Sequence, residues 1–323
     1  MKPSLRTLLG AAALLALALP AQAQEVSLRA VSFLPKNHPV MAMNQVWVDD
    51  INAALAGKVK INYVGGPEVI PGLQQAEAVS KGVIDIAFNP TAYYQSLLPE
   101  VSAFILSRKT PAQEREAGGF YEYMVKRHET IGLRYIGRTQ MSPFYIWTKD
   151  KPATIDGLKG MKLRTTALYD RFMNGLGALP VTIPEGEVYT ALEGGTVSGF
   201  GWPVFGARQR GWIKIVRHVI DIPFFGSSNV VAIMNNDKWK TLPADVQKKI
   251  IDVTAAFEPK VVKHFTDAEK EEWAELDKAG VIRFRFSDAE NKKYLDTAYE
   301  VELQNLSTKV PDQMATLRKL TGN

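Results

Sequence analysis

The chain of 323 residues contains no cysteine and only four histidines. Without cysteine it has no disulfide, no thiolate metal ligand and no cysteine nucleophile. The histidines are spread along the chain and show no metal-ligand spacing. About 300 residues can bury a sizeable core without disulfides, so we expect two domains and no metal site. The histidines are His38, His128, His218 and His264.

The sequence also lacks the short motifs that accompany common enzymatic chemistry. It has no GxSxG, SxxK or HExxH pattern and no nucleotide-binding motif. A periplasmic hydrolase or lyase would need a nucleophile with a base, a metal cluster or a pair of carboxylates. We therefore predict a protein that is not an enzyme and uses no cofactor.

The N-terminus has the features of a secretory signal peptide, predicted at 1–23. A basic segment, Met1–Arg6, precedes an apolar run that ends in the small residues Ala21-Gln22-Ala23. Cleavage there gives a mature chain that begins at Gln24, and no cysteine follows that could carry a lipid anchor. We expect a soluble, exported protein located in the periplasm.

The charge balance is weakly basic. The chain carries 39 basic and 34 acidic residues, which gives a formal charge of +5. Loss of Lys2 and Arg6 with the signal peptide lowers this charge to +3. Such a balance slightly favours an anionic small molecule. Because Lys and Arg are not clustered, it predicts no nucleic-acid partner.

The first part of the mature chain alternates between strand-like and helix-like patterns. This order predicts an α/β domain with a parallel sheet. The last of the strands is apolar enough to be buried on both faces. The predicted elements are a strand at Val26–Phe33, a helix at 40–57 with Gly57 as its C-cap, a strand at Lys58–Val64, a helix at Leu73–Lys81 and a strand at Val83–Phe88.

A second unit of strands and short helices is predicted from about Ser142 to Ser227. No glycine-rich linker joins the units, so we expect the chain to cross between two lobes more than once. The predicted fold class is α/β and two-lobed, with a long helix spanning the lobes and a cleft for a small ligand. The predicted lobes are 24–141 plus 229–270, and 142–228 plus 271–323.

Several further elements are predicted with defined bounds. Helices are expected at 110–127 and 204–216, and two separate strands at 133–140 and 144–148. From Asn235 the pattern is mostly helical over more than 40 residues, with a break near Leu242-Pro243. A short strand and two amphipathic helices close the chain.

Several short motifs follow one another in order along the sequence. They are GMKLR at 160–164, GALP at 177–180, EVYTAL at 187–192, VSG at 197–199 and Pro203, with GGPEVIPGLQQAEAVSKGVIDIAF upstream and NNDKWKTLPADVQKKI downstream. Each motif is weak alone, but the ordered set resembles the solute-binding proteins of tripartite ATP-independent periplasmic (TRAP) transporters, dicarboxylate type. The resemblance covers nearly the whole mature chain.

The resemblance implies a protein that closes on an organic anion and delivers it to the membrane subunits of a TRAP permease. A monomer is expected. In that family the residue matching Arg164 forms a two-pronged salt bridge to the ligand carboxylate. The chemistry agrees, because a planar guanidinium offers a carboxylate two parallel hydrogen bonds. Thr166 could add a hydroxyl donor. The alternative is a surface arginine paired with Asp156 or Glu187.

Three positions depart from the family pattern. Phe144 stands where some members carry a second arginine, Trp202 where many have asparagine, and Glu185 where many have an aromatic residue. A single ligand-pairing arginine with extra rings favours a monocarboxylate that has an apolar or aromatic body, such as an aromatic, keto or hydroxy acid. Tyr145 and Phe200 could join this wall, although rings in strands are often core residues, and core is favoured for Phe200.

Other candidates leave alternatives open. Glu185 either caps the EVY helix or faces the ligand, and the second arrangement would suit an ectoine-like zwitterion. On the first lobe, Asn89 and Phe33 follow predicted strands, where ligands collect in open α/β sheets. Arg138 is a possible second cationic contact. A ligand-sensing subunit of a membrane receptor remains the alternative to transport.

Overall fold

The computed structural model describes residues 25–323, apart from the side chains of 226–228. The predicted signal peptide, 1–23, lies outside the described residues. Over the described part of the chain, no helix combines the length and the apolar character needed to cross a membrane.

Ten strands of the described chain form two sheets that share one long strand, and each sheet is the centre of one lobe. The first three strands confirm the predicted strand positions to within about three residues. The strands are β1 (Val26–Ser32), β2 (Val59–Gly65), β3 (Ile86–Pro90), β4 (Leu133–Thr148), β5 (Lys162–Thr165), β6 (Leu179–Thr182), β7 (Gly199–Trp202), β8 (His218–Ile220), β9 (Phe225–Asn235) and β10 (Ile282–Phe284).

The α-helices of the described chain range from single turns to a helix of 35 residues. They are α1 (Ala42–Ala54), α2 (Gln75–Ser80), α3 (Pro111–Glu114), α4 (Phe120–Glu129), α5 (Asp170–Gly175), α6 (Val188–Glu193), α7 (Asn236–Thr241), α8 (Ala244–Lys278), α9 (Asp288–Lys309) and α10 (Met314–Thr321).

The first sheet has the strand order β2-β1-β3-β9-β4. Its first three strands are parallel, as the alternating sequence pattern predicts, and β9 runs antiparallel to both β3 and β4. The four leading residues of β3 are fully buried, which fits a strand covered on both faces. The second sheet has the strand order β4-β7-β5-β6. Strand β8 pairs with the opposite edge of β4, and β10 pairs with β8.

The shared strand β4 carries the chain from one lobe to the other. Residues Leu133 to Phe144 pair with β9 in the first sheet, and Tyr145 to Thr148 pair with β7 in the second. The two predicted strands at 133–140 and 144–148 are therefore one strand of 16 residues. Register shifts along its pairing with β9 interrupt the alternation of the sequence pattern.

The helix α8 also contacts both lobes. It begins directly after Pro243, so the predicted break near Leu242-Pro243 is confirmed. Near its start, Thr254 accepts a hydrogen bond of 3.0 Å from the indole of Trp47 in the first lobe. Farther along, Glu269 accepts a hydrogen bond of 2.6 Å from the hydroxyl of Tyr145 in the second sheet. The long helix therefore braces the two sheets against each other.

Two helix predictions are wrong. The segment 110–127 contains two helices, because the first ends at Glu114 and Gly118 then takes a left-handed conformation (φ 70°) just before the second begins at Phe120. The segment 204–216 contains only a short 3-10 turn at Trp212–Lys214. Gly206 and Gly211 both have positive φ there (88° and 76°), which an α-helix does not accommodate.

The closing helices contact segments of both predicted lobes. Helix α9 packs against α5 and against the 3-10 segment Pro99–Leu106, whereas α10 packs against that same segment and α4. The lobe boundaries given above stay a prediction.

Candidate ligand-binding site

A cavity lies between the lobes, at the carboxyl ends of β1 and β3 on one side and of β5 and β7 on the other. It contains about 530 Å³ of atom-free space, its open mouth included. Most of its wall is apolar, which is usual for a small-molecule site. Five rings line it, from Phe33, Tyr93, Phe144, Tyr169 and Trp202, together with the polar side chains of Thr91, Gln140, Thr166 and Asn229.

Arg164 stands at the end of β5 beside this cavity, with only 1% of its surface exposed. Its Nε donates to the carbonyl of Ile183 (2.9 Å) and its Nη1 to the hydroxyl of Tyr169 (2.9 Å). The guanidinium carbon lies 5.2 Å from the centre of the Trp202 ring, a cation–π arrangement. The surface-arginine alternative is wrong, because the side chain is buried within the protein.

No carboxylate of residues 25–323 lies within ion-pair distance of Arg164. Asp156, one of its two suggested partners, instead pairs with Lys159 (3.0 Å). The Nη2 nitrogen has no hydrogen-bond partner among the described residues. A buried cation without a counter-charge is costly, and ring contacts and neutral acceptors offset only part of that cost.

Tyr169, which the sequence analysis did not select, orients Arg164. Its hydroxyl accepts from Arg164 and donates to the carbonyl of Gly201 (2.6 Å). A Cβ at Gly201 would lie 2.4 Å from the Tyr169 ring, so only glycine allows this approach. Burial raises the pKa of the Tyr169 hydroxyl, although Arg164 opposes that rise. Tyr169 therefore stays a neutral hydrogen-bonding group.

Phe144 and Trp202, two of the positions that depart from the family pattern, form an aromatic wall of the cavity. Trp202 lies next to Arg164. The ring centres of Phe144 and Trp202 are 6.5 Å apart, and Phe144 also lies 5.4 Å from Tyr169. The indole of Trp202 donates to the carbonyl of Phe205 (2.7 Å), which fixes its orientation. Phe200 is fully buried and stacks on Trp147, so it is a core residue, as favoured.

The first lobe supplies the facing wall. Phe33, directly after β1, packs edge-to-face against Tyr93 with ring centres 5.6 Å apart, and both line the cavity. Thr166 lines the cavity from the second lobe. The structure therefore brings the predicted residues Phe33, Phe144, Thr166 and Trp202 together around one space beside Arg164.

Two predicted residues lie away from the cavity. The side chain of Asn89 is fully buried and donates to the carbonyl of Gly72 (2.9 Å) and to Gln75 (3.0 Å), so it supports the loop before α2. Tyr145 follows Phe144 in β4 and therefore points to the opposite face of the sheet. There it bonds to Glu269 and packs against Trp273 of α8. Neither residue is a wall of this cavity.

Arg138 is buried, and the carboxylate of Glu114 neutralises its charge. Its Nη2 lies 2.5 Å from both carboxylate oxygens of Glu114, and its Nη1 donates to Asn229. The guanidinium also lies over the ring of Phe104. Arg138 is therefore no second cation for a ligand. It supports Asn229, a cavity residue that the sequence analysis missed because the two positions are 91 residues apart.

Glu185 does not act as a helix cap, and its contact with a ligand stays a prediction. Its side chain makes no capping bond at the 3-10 turn Glu185–Glu187 or at α6, and it does not line the cavity. Instead one oxygen, Oε1, lies 2.7 Å from Nε of Arg210 and 3.8 Å from Nε2 of His38. Burial raises the pKa of the Glu185 carboxyl, although Arg210 and Arg164 oppose that rise.

No group of three or more His, Cys, Asp or Glu side chains in the described part of the chain is arranged to hold a metal ion. The cavity is lined mainly by aromatic and apolar side chains, and the buried guanidinium of Arg164 lies behind two of them, Tyr169 and Trp202, which it contacts.

The two-lobed α/β fold, with a ring-lined cavity between the lobes, is the fold of the solute-binding proteins that match this chain. The chain belongs to the family described as bacterial extracellular solute-binding protein, family 7, whose sequence profile matches residues 30–306. The predicted TRAP-type family is thereby confirmed. The members of this family and the structural neighbours are solute-binding receptors, so the prediction that the protein is not an enzyme is confirmed on that ground.

Similar proteins fit this assignment. The chain is 26% identical over 322 residues to the outer membrane transporter protein TsaT of Comamonas testosteroni, covering 94% of this chain and 90% of TsaT. A TRAP periplasmic solute-binding protein of Desulfovibrio salexigens with bound orotic acid superimposes with a TM-score of 0.82 at 21% identity, covering 92% of this chain and 98% of that one.

A second solved structure shares the fold. DctP7 of Bordetella pertussis, an extracytoplasmic solute receptor that binds pyroglutamic acid, superimposes with a TM-score of 0.79 at 17% identity. The match covers 92% of this chain and all of DctP7. At these identities the two solved structures establish the fold, and the ligand has to be argued from this chain's own residues.

Proposed function

We propose that the protein captures a small organic monocarboxylate with an apolar or aromatic body between its lobes and delivers it to the membrane subunits of a TRAP transporter. The binding takes place in the periplasm, after removal of the predicted signal peptide. The observation that carries this proposal is Arg164, a buried cation beside a ring-lined cavity that has no carboxylate partner among the described residues.

The hydrogen bonds of Arg164 leave one edge of the guanidinium for an anion. Nε is held by the carbonyl of Ile183, and each terminal nitrogen carries two hydrogens, of which Tyr169 accepts one on Nη1. A carboxylate at the edge formed by Nη1 and Nη2 would accept one hydrogen bond from each nitrogen, with its two oxygens side by side. Charge-assisted hydrogen bonds of this kind contribute about 1.5–3 kcal/mol each.

The remaining walls select the body of the acid. Arg138 is neutralised by Glu114, and Glu185 is neutralised by Arg210, so neither a second carboxylate nor an amine finds a free counter-charge there. The five rings favour an apolar or planar body, with about 0.5–1.5 kcal/mol for each well-placed ring pair. This argues for a monocarboxylate over a dicarboxylate or a zwitterion.

The ligands of the structural neighbours support the same class. Orotic acid and pyroglutamic acid are both ring compounds with a single carboxylate, bound by proteins of the same fold. The five rings that line the cavity suit the planar or apolar bodies of such acids.

A ligand screen tests the proposal. Refolded, ligand-stripped protein is assayed by thermal shift against aromatic monocarboxylates, keto and hydroxy acids, orotate, pyroglutamate, dicarboxylates and ectoine. We expect the largest shifts from ring-bearing monocarboxylates. A tight ligand that lacks a negative group would contradict the proposal.

Replacement of Arg164 tests the two-pronged contact. In Arg164→Lys the charge remains but the planar fork is lost, so affinity for the best acid of the screen should fall about tenfold or more in titration calorimetry. Arg29→Lys, at an exposed position of β1, is the matched control and should bind as the wild type does. Unchanged affinity in Arg164→Lys would exclude the contact.

A further inference from the structure

Two hydroxyl side chains of the first lobe line the cavity from one short turn. The turn, Thr91–Tyr94, is a 3-10 helix that directly follows β3. Thr91 and Tyr93 are both cavity residues, whereas Arg164 stands beside the cavity on the second lobe. We refer to Thr91 and Tyr93 as the hydroxyl pair.

The hydroxyl pair has no hydrogen-bond partner among the residues that the structure describes. Thr91 is only 1% exposed, and its side chain makes no capping bond in the turn. Tyr93 is half-buried, and neither of the two hydroxyl oxygens is fully enclosed by protein. A polar group that leaves water without gaining a partner is unfavourable. Both hydroxyls are therefore available to whatever fills the cavity.

The neighbouring polar side chains of the same segment do have partners. The hydroxyl of Tyr94 lies 3.0 Å from Nε2 of His128, inside the first lobe. The amide of Gln95 donates to the carbonyl of Ala167 (2.9 Å) and accepts from Ser102 (3.2 Å). The turn thus satisfies the polar groups that face protein and leaves unbonded the two that line the cavity.

The ring of Tyr93 is held in place by its surroundings. It packs edge-to-face against Phe33, with ring centres 5.6 Å apart. A Cβ at Gly72 would lie 3.2 Å from Cε2 of Tyr93, next to the hydroxyl-bearing carbon, so the ring lies close against the backbone there. The hydroxyl is therefore presented to the cavity from a fixed ring.

Tyr93 is a hydrogen-bond donor at neutral pH. Burial raises the pKa of its hydroxyl, and Arg164 on the second lobe opposes that rise without cancelling it. The hydroxyl consequently keeps its proton. Among the described residues no group accepts this proton, so a bound ligand has to supply the acceptor.

We propose that Thr91 and Tyr93 form a second recognition site, which binds a hydrogen-bond acceptor on the body of the captured acid. This inference rests on the proposed function, because the carboxylate beside Arg164 places the body of the acid in the cavity that the hydroxyl pair lines. The acceptor is a keto oxygen, a ring carbonyl or a ring nitrogen. The ligand class narrows accordingly, from ring-bearing monocarboxylates in general to those with such an acceptor.

The physical reason for this selectivity is the cost of unpaired hydroxyls. An acid with a hydrocarbon body displaces water from Thr91 and Tyr93 and gives no hydrogen bond in return. An acid that carries an acceptor replaces the water it displaces. Sites that hydrogen-bond a ligand group discriminate strongly against analogues that lack it, because the groups of the site are then left unpaired.

The test compares matched acids by titration calorimetry on ligand-stripped protein. Benzoylformate is compared with phenylacetate, and pyroglutamate with cyclopentanecarboxylate. Within each pair the carboxylate and the size of the body are nearly constant, and only the first member has an acceptor oxygen on its body. We expect the first member of at least one pair to bind about tenfold or more tightly than its partner.

Variants of the hydroxyl pair assign the preference to these residues. Tyr93→Phe and Thr91→Val remove a hydroxyl with little change of shape, and each should reduce the tenfold preference to about threefold or less. Tyr189→Phe, at an exposed tyrosine of α6, is the matched control and should keep the full preference. Since neither hydroxyl of the pair has a protein partner, the thermal midpoints of the ligand-free variants should not fall.

Four outcomes would overturn the hydroxyl pair. They are equal affinities within both pairs of acids, no binding by any of the four acids, an unchanged preference in both Tyr93→Phe and Thr91→Val, and lower thermal midpoints of both ligand-free variants, which would assign the hydroxyls to folding. The proposed function is judged separately, by the ligand screen and by Arg164→Lys. Acids that bind through Arg164 without any preference for an acceptor would contradict the hydroxyl pair alone.

Discussion

At the residue scale, the proposed anion site depends on how Arg164 and Tyr169 bond to the backbone carbonyls of Ile183 and Gly201. Arg164 is held by a carbonyl and a tyrosine hydroxyl, and no carboxylate of the described residues neutralises its charge. The tyrosine reaches that position because Gly201 has no side chain. Gly201 therefore controls, through Tyr169, how the guanidinium of Arg164 is oriented.

Gly201→Ala should disturb this arrangement. The added Cβ would lie 2.4 Å from the Tyr169 ring, so the ring must shift and its hydrogen bond to Arg164 weaken. We expect a loss of about 1–3 kcal/mol in unfolding free energy, typical of overpacking, together with weaker acid binding. Denaturant unfolding and titration calorimetry measure the two effects. Gly186→Ala, where an added Cβ has no neighbour within 4 Å, is the control and should change neither.

At the element scale, β4 places residues of opposite roles next to each other. Phe144 faces the cavity, and Tyr145 faces α8, because side chains alternate along a strand. Arg138, on the same strand, does not line the cavity. Its ion pair with Glu114 ties β4 to α3 and supports Asn229 of β9 at the cavity wall.

Glu114→Gln should be strongly destabilising for this element. It leaves the guanidinium of Arg138 buried without its counter-charge, which costs about 3–5 kcal/mol in comparable buried pairs. Equilibrium unfolding in urea measures the loss. Asp245→Asn, which removes a partner of the exposed pair Lys58–Asp245, is the matched control and should leave the unfolding free energy nearly unchanged. Equal effects of the two substitutions would contradict the argument.

At the scale of the whole molecule, two buried histidines couple stability to pH. Burial lowers the pKa of His38 and of His128 to about 4, and Arg210 adds to the effect at His38. His128 is fully enclosed, with its ring nitrogens engaged by Tyr94 and by the carbonyl of Met124. Both rings are neutral in the folded protein at neutral pH.

A folded-state pKa below the unfolded value of 6.5 means that the unfolded chain takes up the proton first. The stability of the folded state is therefore fully present above about pH 6.5 and is lost as the pH falls towards 4. Each histidine contributes roughly 3 kcal/mol to that loss. Unfolding free energies measured from pH 7.5 to 4.5 should fall less steeply in His128→Gln. His264→Gln, at an exposed position, is the control and should keep the wild-type dependence of unfolding free energy on pH. If His264→Gln and His128→Gln had the same slope, the low pKa of His128 would not be the cause.

Some residues of the proposed site can be predicted from the sequence, and others cannot. Arg164, Phe144 and Trp202 were found because they occupy motif positions, and all three lie at or beside the cavity. Tyr169 and Asn229 were missed, since nothing in their local pattern shows that they approach Arg164 or Arg138. Glu185 was assigned to a helix cap or a ligand, whereas its partners are 25 residues and 147 residues away in sequence.

The sequence by itself determined the alternation of strands and helices, the family and the position of the cation at the end of β5. These features follow from hydrophobic periodicity, glycine and proline positions and ordered motifs, all of which are local. Only the tertiary structure decided which charges are neutralised and which remain available. That outcome depends on contacts between lobes and across β4, and such long-range distances leave no periodic trace in one sequence.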